Sequence, residues 1–256
     1  MALTSAFNRG FRSGERPGAL SQVQIASSAQ VWYDASTNGY FQPTNPSSGT
    51  GITQWNDRSN AAHNASPVGA GQTPRPTWQS SVLNSLGIVR FDGSTKNLQV
   101  SNTTWLQSLS GFTLVILAKA SALSGTRFLT NTDQSGASIY FNGTNFVTRT
   151  ASGVGTTSLT GDTSSFNIYT QVFDGTQADN ATRLRFFYDG IQQTLNFNGT
   201  TVGTQTNAST NKLNFAWDGT GNYWNGDIAE IMMWGKKLST TERVGVEKYL
   251  EDKWAL

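Results

Sequence analysis

From residue 30 onward the chain is written in short runs of β-branched and aromatic residues punctuated by Asp-Gly and Asn-Gly pairs. That rhythm constrains the fold more tightly than any other feature of the sequence. The runs fall at 31–35, 52–55, 88–91, 112–118, 127–130, 138–141, 166–173, 184–188, 213–217 and 228–234. Between them lie Asp92-Gly93, Asn142-Gly143, Asp174-Gly175, Asp189-Gly190, Asn198-Gly199 and Asp218-Gly219. Both residue types tolerate positive φ, which tight type I′ hairpins require. Two hairpins are therefore expected, one turning on Asn142-Gly143 and one on Asp189-Gly190. Some ten strands at this spacing predict an all-β fold, a two-sheet antiparallel β-sandwich of jelly-roll type.

Composition agrees. Only 13% of residues are charged and 36% hydrophobic, while Gly, Ser, Thr and Asn fill roughly two fifths of the chain, which excludes a helical bundle. With 14 Phe, 8 Trp and 7 Tyr, a disordered chain is excluded too. The one clear helix signal is at the C-terminus. Ser239 and Glu242 form a capping box, and Val246, Tyr249 or Leu250, and Trp254 recur at helical spacing. This short C-terminal helix is expected to pack on the sandwich and carry no chemistry.

Residues 1–29 read as an extended N-terminal arm and 30–256 as one domain. The arm holds Arg9, Arg12 and Arg16 against Glu15, so it carries the whole formal charge of +2. Phe7, Phe11 and Leu20 are its candidate anchors on a neighbouring subunit. A neutral body argues against nucleic acid as a partner. No apolar run is long enough to span a membrane, and the N-terminus reads as lacking a secretory leader. The absence of cysteine excludes disulfides and thiolate metal sites.

Several motifs recur in order: Val31-Trp32-Tyr33-Asp34, Trp55-Asn56-Asp57-Arg58, Val89-Arg90-Phe91-Asp92-Gly93, Phe187-Tyr188-Asp189-Gly190 and Gly226-Asp227-Ile228-Ala229-Glu230-Ile231. Leu238-Ser239, Glu242-Arg243, Glu247-Lys248-Tyr249-Leu250 and Lys253-Trp254 close the series. The series resembles the laminin-G-like, concanavalin A-like lectin/glucanase jelly rolls, in the form common in bacteriophage structural proteins. It covers about residues 30–254. The resemblance implies the fold but no single function, because that fold hosts lectins, hydrolases, adhesion modules and virion proteins.

The chemistry was therefore read from the residues. A glycosidase needs two carboxylates facing one substrate. Asp227 and Glu230 are three apart, which places them on opposite faces of a regular strand. His63 is the only histidine, in a stretch read as a solvated loop, and no G-x-S-x-G elbow occurs. Asn56, Asp57, Asn60, Asn131 and Asp133 could offer oxygen ligands, but turn capping accounts for them. No catalytic residue, metal or cofactor is expected. Sugar sites pair an aromatic platform with amide or carboxylate partners. Tyr40 and Phe41, near Asn38 and Gln42, meet that description, as do Asn222 and Tyr223. Trp32, Trp55, Trp217 and Trp234 read as core.

The expectation is a non-enzymatic structural protein displayed on a bacteriophage particle, made in the host cytoplasm. It would be a capsid decoration (cement) protein or a tail-appendage subunit. Its expected partners are other virion proteins, further copies of itself as a homo-oligomer, and a cell-surface glycan. The alternative is a lectin-like carbohydrate-binding module for an extracellular polysaccharide.

Overall fold

A computed structural model of the chain describes residues 18, 20–69, 75–132, 136–143, 145–150 and 152–256. The first elements are α1 (Gln22–Ser28), β1 (Val31–Asp34), β2 (Phe41–Gln42), β3 (Gln54–Trp55), β4 (Thr77–Leu83), β5 (Leu86–Asp92) and β6 (Leu98–Ser101). Next come β7 (Gly111–Ala120), β8 (Thr126–Thr132), β9 (Ser138–Asn142), β10 (Asn145–Thr150), β11 (Gly153–Thr160) and β12 (Asn167–Asp174). The chain continues through α2 (Asn180–Arg183), β13 (Leu184–Tyr188), β14 (Ile191–Gln193), β15 (Lys212–Phe215), β16 (Asn225–Trp234) and α3 (Thr240–Trp254).

Apart from β2 and β3, which pair with each other, these strands form the expected two-sheet antiparallel sandwich. One sheet runs β14-β13-β12-β7-β16-β5-β4, with β1 also paired to β16. The other runs β11-β10-β9-β8-β15-β6. In the first sheet, alternate residues serve two cores. Leu114, Ile116, Ile231 and Met233 face the second sheet, whereas Val115, Leu117, Met232 and Trp234 join Ile25, Val246, Leu250 and Trp254 beneath the helices. Burial on both faces explains why β7 and β16 read as nearly unbroken hydrophobic runs.

The hairpin at Asp189-Gly190 forms as expected. Tyr188 pairs with Ile191, and both turn residues have positive φ, 48° and 74°. The other hairpin shifts by one position. Asn142 stays in β9 and pairs with Asn145. Phe141 thereby lies opposite Phe146, and their rings meet in the core at 4.1 Å. Burying that pair sets the register against the local turn preference.

Helix α3 starts as predicted, with Ser239 and Glu242 capping each other's backbone amides. Helix α1 corrects the reading of 1–29 as wholly extended. Ser21 and Gln24 form a capping box, Ile25 is fully buried, and the Leu20 amide bonds Gly245 O at 3.0 Å. The arm residues Phe7, Arg9, Phe11, Arg12 and Arg16 lie outside the described residues.

A second correction concerns β16. Ile228 pairs with Ala118 and Glu230 with Leu117, so Ala229 is an extra residue, a β-bulge. The bulge returns Glu230 to the face that Asp227 occupies, the one under the helices, rather than to the opposite face. Glu230 is fully buried there. Its carboxylate accepts from Trp32 Nε1 (2.7 Å), Trp254 Nε1 (2.7 Å), Tyr249 Oη (3.0 Å) and Lys253 Nζ (2.7 Å). Lys253 also reaches Asp34 at 2.7 Å, and Asp34 takes the Arg58 guanidinium on its other oxygen. Arg58 in turn lies over the Trp32 ring at 3.9 Å. Burial pushes the Glu230 carboxyl above its ordinary value, and the charge of Asp34 adds to this against the pull of Lys253. Burial pushes Asp34 up as well, but the charge of Lys253 and the bonds from Lys253 and Ser36 overcome it and hold the group low.

Nearly every residue of this cluster belongs to the motifs that carry the family resemblance. Removing Glu230 leaves Lys253 to Asp34 alone and strands the donors of Trp32, Trp254 and Tyr249, and breaking a buried pair on one side costs about 3–5 kcal/mol. Glu230→Ala should therefore lose about that much in urea unfolding, and Glu230→Gln, which keeps an acceptor, clearly less. A loss under ~1 kcal/mol for Glu230→Ala would show that the cluster does not hold α3.

Candidate functional site

The aromatic residues singled out in the sequence separate in space. Phe41 is fully buried, its ring 5.6 Å from Trp55 and 6.4 Å from Trp78. It cannot serve as a sugar platform, because the alternation of β2 turns Phe41 to the core and Gln42 to solvent. Tyr40 is half-buried and already covered, with Arg58 4.2 Å over its ring. The Asn38 side chain is turned to Pro46 O. His63 is no freely solvated loop residue. Its ring stacks on Trp105 at 5.5 Å, its amide bonds Asp57, and its carbonyl accepts from the Tyr33 hydroxyl. Both Asp57 oxygens are taken, by the amides of Trp32 in β1 and of Ser59 and His63 in the loop, and by the Ser59 hydroxyl.

Asn222 and Tyr223 stand in a different setting. Strand β15 continues into a hairpin in which Trp217 pairs with Tyr223. Their rings stack at 6.1 Å and 15°, and both are half-buried. Trp217 is thus at the surface and not core. The loop between them is organised by one carboxylate. Asp218 accepts from the amides of Thr220 (2.8 Å), Gly221 (2.9 Å) and Asn222 (3.1 Å), from the Thr220 hydroxyl, and from Asn222 Nδ2 (2.7 Å). Burial opposes ionisation of Asp218, but these donors outweigh it and bring the group down to about 2.

The hairpin lies along β8. The Ala216 amide bonds Leu129 O at 2.9 Å, Asn131 Nδ2 bonds Asp218 O at 2.8 Å, and Arg127 reaches Tyr223 O at 3.3 Å. Strand β8 brings in a second aromatic pair. Ile139 and Phe141 of β9 face the core, so Tyr140 between them faces outward. Phe128 is paired with Tyr140 across the strands, and their rings stack at 4.3 Å and 16°. Both are half-buried. One row further along the same face come Asn131, Ser138 and Arg149. Burial raises the Tyr140 hydroxyl, and the positive charge of Arg149 works against that rise. Arg149 makes no ion pair among the described residues.

The outer face of the second sheet therefore carries two stacked aromatic pairs flanked by amide, hydroxyl and guanidinium groups. Of its residues, sequence reasoning had singled out Asn222 and Tyr223 for a glycan and Asn131 only as a weighed oxygen ligand. Phe128, Tyr140 and Arg149 were missed. The alternation Ile139-Tyr140-Phe141 held the signal, since the residue with a hydroxyl is the better one to leave outside.

Asp227 and Glu230 do not form a catalytic pair. Asp227 gives both oxygens to Arg90 at 2.7 and 2.9 Å, and Glu230 is enclosed as described above. Among the described residues, no group of three or more His, Asp or Glu side chains could hold a metal ion. No helix among them is long and apolar enough to cross a membrane.

No family model and no curated protein matches the chain. Solved structures resemble it. The receptor-binding domain of botulinum neurotoxin mosaic serotype C/D matches 88% of this chain and 51% of its own, with 12% identity and a TM-score of 0.57. Trypanosoma rangeli sialidase matches 87% of this chain and 32% of its own, with 14% identity and a TM-score of 0.56. The binding domain of botulinum neurotoxin DC in complex with SialylT matches at 13% identity, a TM-score of 0.51, and 88% and 52% coverage. The chain thus spans about a third to a half of these proteins, and at such identity the likeness is one of all-β fold.

The ionised state of Asp218 favours the folded hairpin, since its folded value lies below the ordinary 3.8. Its contribution is complete above the unfolded value and lost as pH falls toward about 2. The melting temperature should fall on acidification across that range, and less steeply in Asp218→Asn. Equal slopes in both proteins would remove Asp218 as the group organising the loop.

Proposed function

We propose that this chain is a non-catalytic carbohydrate-binding sandwich whose sugar site is the outer face of the second sheet. The observation that carries the reading is the pairing of two half-exposed aromatic stacks, Trp217–Tyr223 and Phe128–Tyr140, with polar groups of Asn131, Arg149 and Asn222. Flat apolar rings suit the C–H face of a pyranose, and the flanking amides and guanidinium suit its hydroxyl and acidic substituents. The resemblance of fold to a toxin binding domain solved with SialylT supports this class of ligand. The sialidases share only the fold, and the two carboxylates that could have formed a hydrolase pair are engaged elsewhere.

The setting we propose for this binding is the surface of a bacteriophage particle, with the N-terminal residues as the assembly segment. It rests on the sequence resemblance. Quantifying the chain by mass spectrometry in gradient-purified particles from its source tests it, and absence from particles would refute it.

The sugar site is tested by a glycan array followed by affinity measurement on the best ligand. Tyr223→Ala and Tyr140→Ala should each weaken binding about tenfold or more, a loss of ~1.4 kcal/mol. Tyr40→Ala should leave affinity unchanged. Binding insensitive to both outer-face substitutions would place the site elsewhere.

A further inference from the structure

We infer that the face under the helices holds a second, separate site, for a small organic carboxylate bearing an apolar group. Where α3 ends, it leaves part of the first sheet uncovered, and a cleft of about 500 Å³ opens there. That size suits a small ligand. Its floor is one cross-strand row, because Asp227 of β16 lies opposite Arg90 of β5 on one side and Lys119 of β7 on the other. All three line the cleft, with Leu83 and Phe166 among its apolar walls.

The charge in this row is unbalanced. Neighbours on one face of a sheet are close enough to pair, yet Asp227 commits both oxygens to Arg90. Lys119 is half-buried and has no ion-pair partner among the described residues. Asp162, two residues before the cleft residue Ser164, has Oδ1 bonded by the amide and hydroxyl of Ser164, each at 2.6 Å. Lys119 thus brings a cation to the cleft lining with no ion-pair partner among the described residues. A carboxylate seated against Lys119 would supply the counter-charge, with the outer edge of Arg90 beside it. Leu83 and Phe166, both packed against the helix-side core, would take the apolar part. One unpaired cation next to apolar walls selects a monoanion with a hydrophobic group over a free inorganic anion.

The test is an amide NMR titration of the whole chain with three probes: phenylacetate, neutral phenylacetamide and inorganic phosphate. Phenylacetate should give saturable shifts centred on Lys119, Phe166 and Asp227, with phenylacetamide and phosphate each at least about tenfold weaker. Lys119→Met should reduce phenylacetate affinity by a similar factor, Lys119→Arg should restore it, and Tyr223→Ala should leave it unchanged. The Tyr223 arm separates this site from the sugar site, so either can fail alone. The comparison of phenylacetate with phenylacetamide needs no variant and stands if Lys119→Met does not fold. Absence of saturable shifts in the cleft overturns the inference. Equal binding of phenylacetamide or phosphate overturns it too, as does unchanged affinity in a folded Lys119→Met.

Discussion

A single half-buried ammonium ties the architecture together. Lys253 stands between Asp34 and Glu230 at 2.7 Å from each, and Glu230 also anchors the indoles of Trp32 and Trp254 and the hydroxyl of Tyr249. These groups come from β16 and α3, which follow each other in the chain, and from β1 at its other end. Enclosing such charges costs several kcal/mol per ion before their attraction is counted. The value of the arrangement therefore lies in its geometry. Only one docking of α3 satisfies every donor and both carboxylates, so the cluster fixes how the last helix lies on the sheet. The bulge at Ala229 belongs to the same device, since without the extra residue Glu230 would point into the other core.

That docking makes the two sheets unlike. One sheet is covered by α1 and α3, and its outer face becomes a second hydrophobic core. Among the described residues no helix lies over the other sheet. Its outer face can keep the half-exposed stacks of Phe128–Tyr140 and Trp217–Tyr223 available to a ligand. The covered sheet regains open surface only where α3 runs out, at the row Arg90–Asp227–Lys119. Both proposed sites are thus consequences of where the helix is held.

The fold was largely legible because its signals are local. The Asp189-Gly190 turn and the Ser239 capping box are each set by a few adjacent residues, and both formed as written. Features decided by long-range packing were not legible. Burial of Phe141 against Phe146 moved a turn by one residue, and a bulge reversed the assignment of Glu230 to a face. Helix α1 escaped notice because it is short and its capping box uses Gln24 in place of Glu. At the site, Tyr223 and Asn222 could be found from composition alone. Phe41 could not be told from a surface ring, since a two-residue strand offers no alternation to read. Tyr140 was marked only by the hydroxyl that sets it apart from Ile139 and Phe141 on either side. The conspicuous motif residues Trp32, Asp34, Glu230 and Trp254 hold α1 and α3 to the sheet, and both proposed sites lie outside them.

The central claim is that Lys253 and Glu230 act as one unit. A double-mutant cycle with Glu230→Gln and Lys253→Met, followed by urea unfolding, measures that directly. The account predicts that the double variant loses well under the sum of the single losses, with a coupling above ~1 kcal/mol. Additive losses would contradict it and return the task of holding α3 to hydrophobic packing alone.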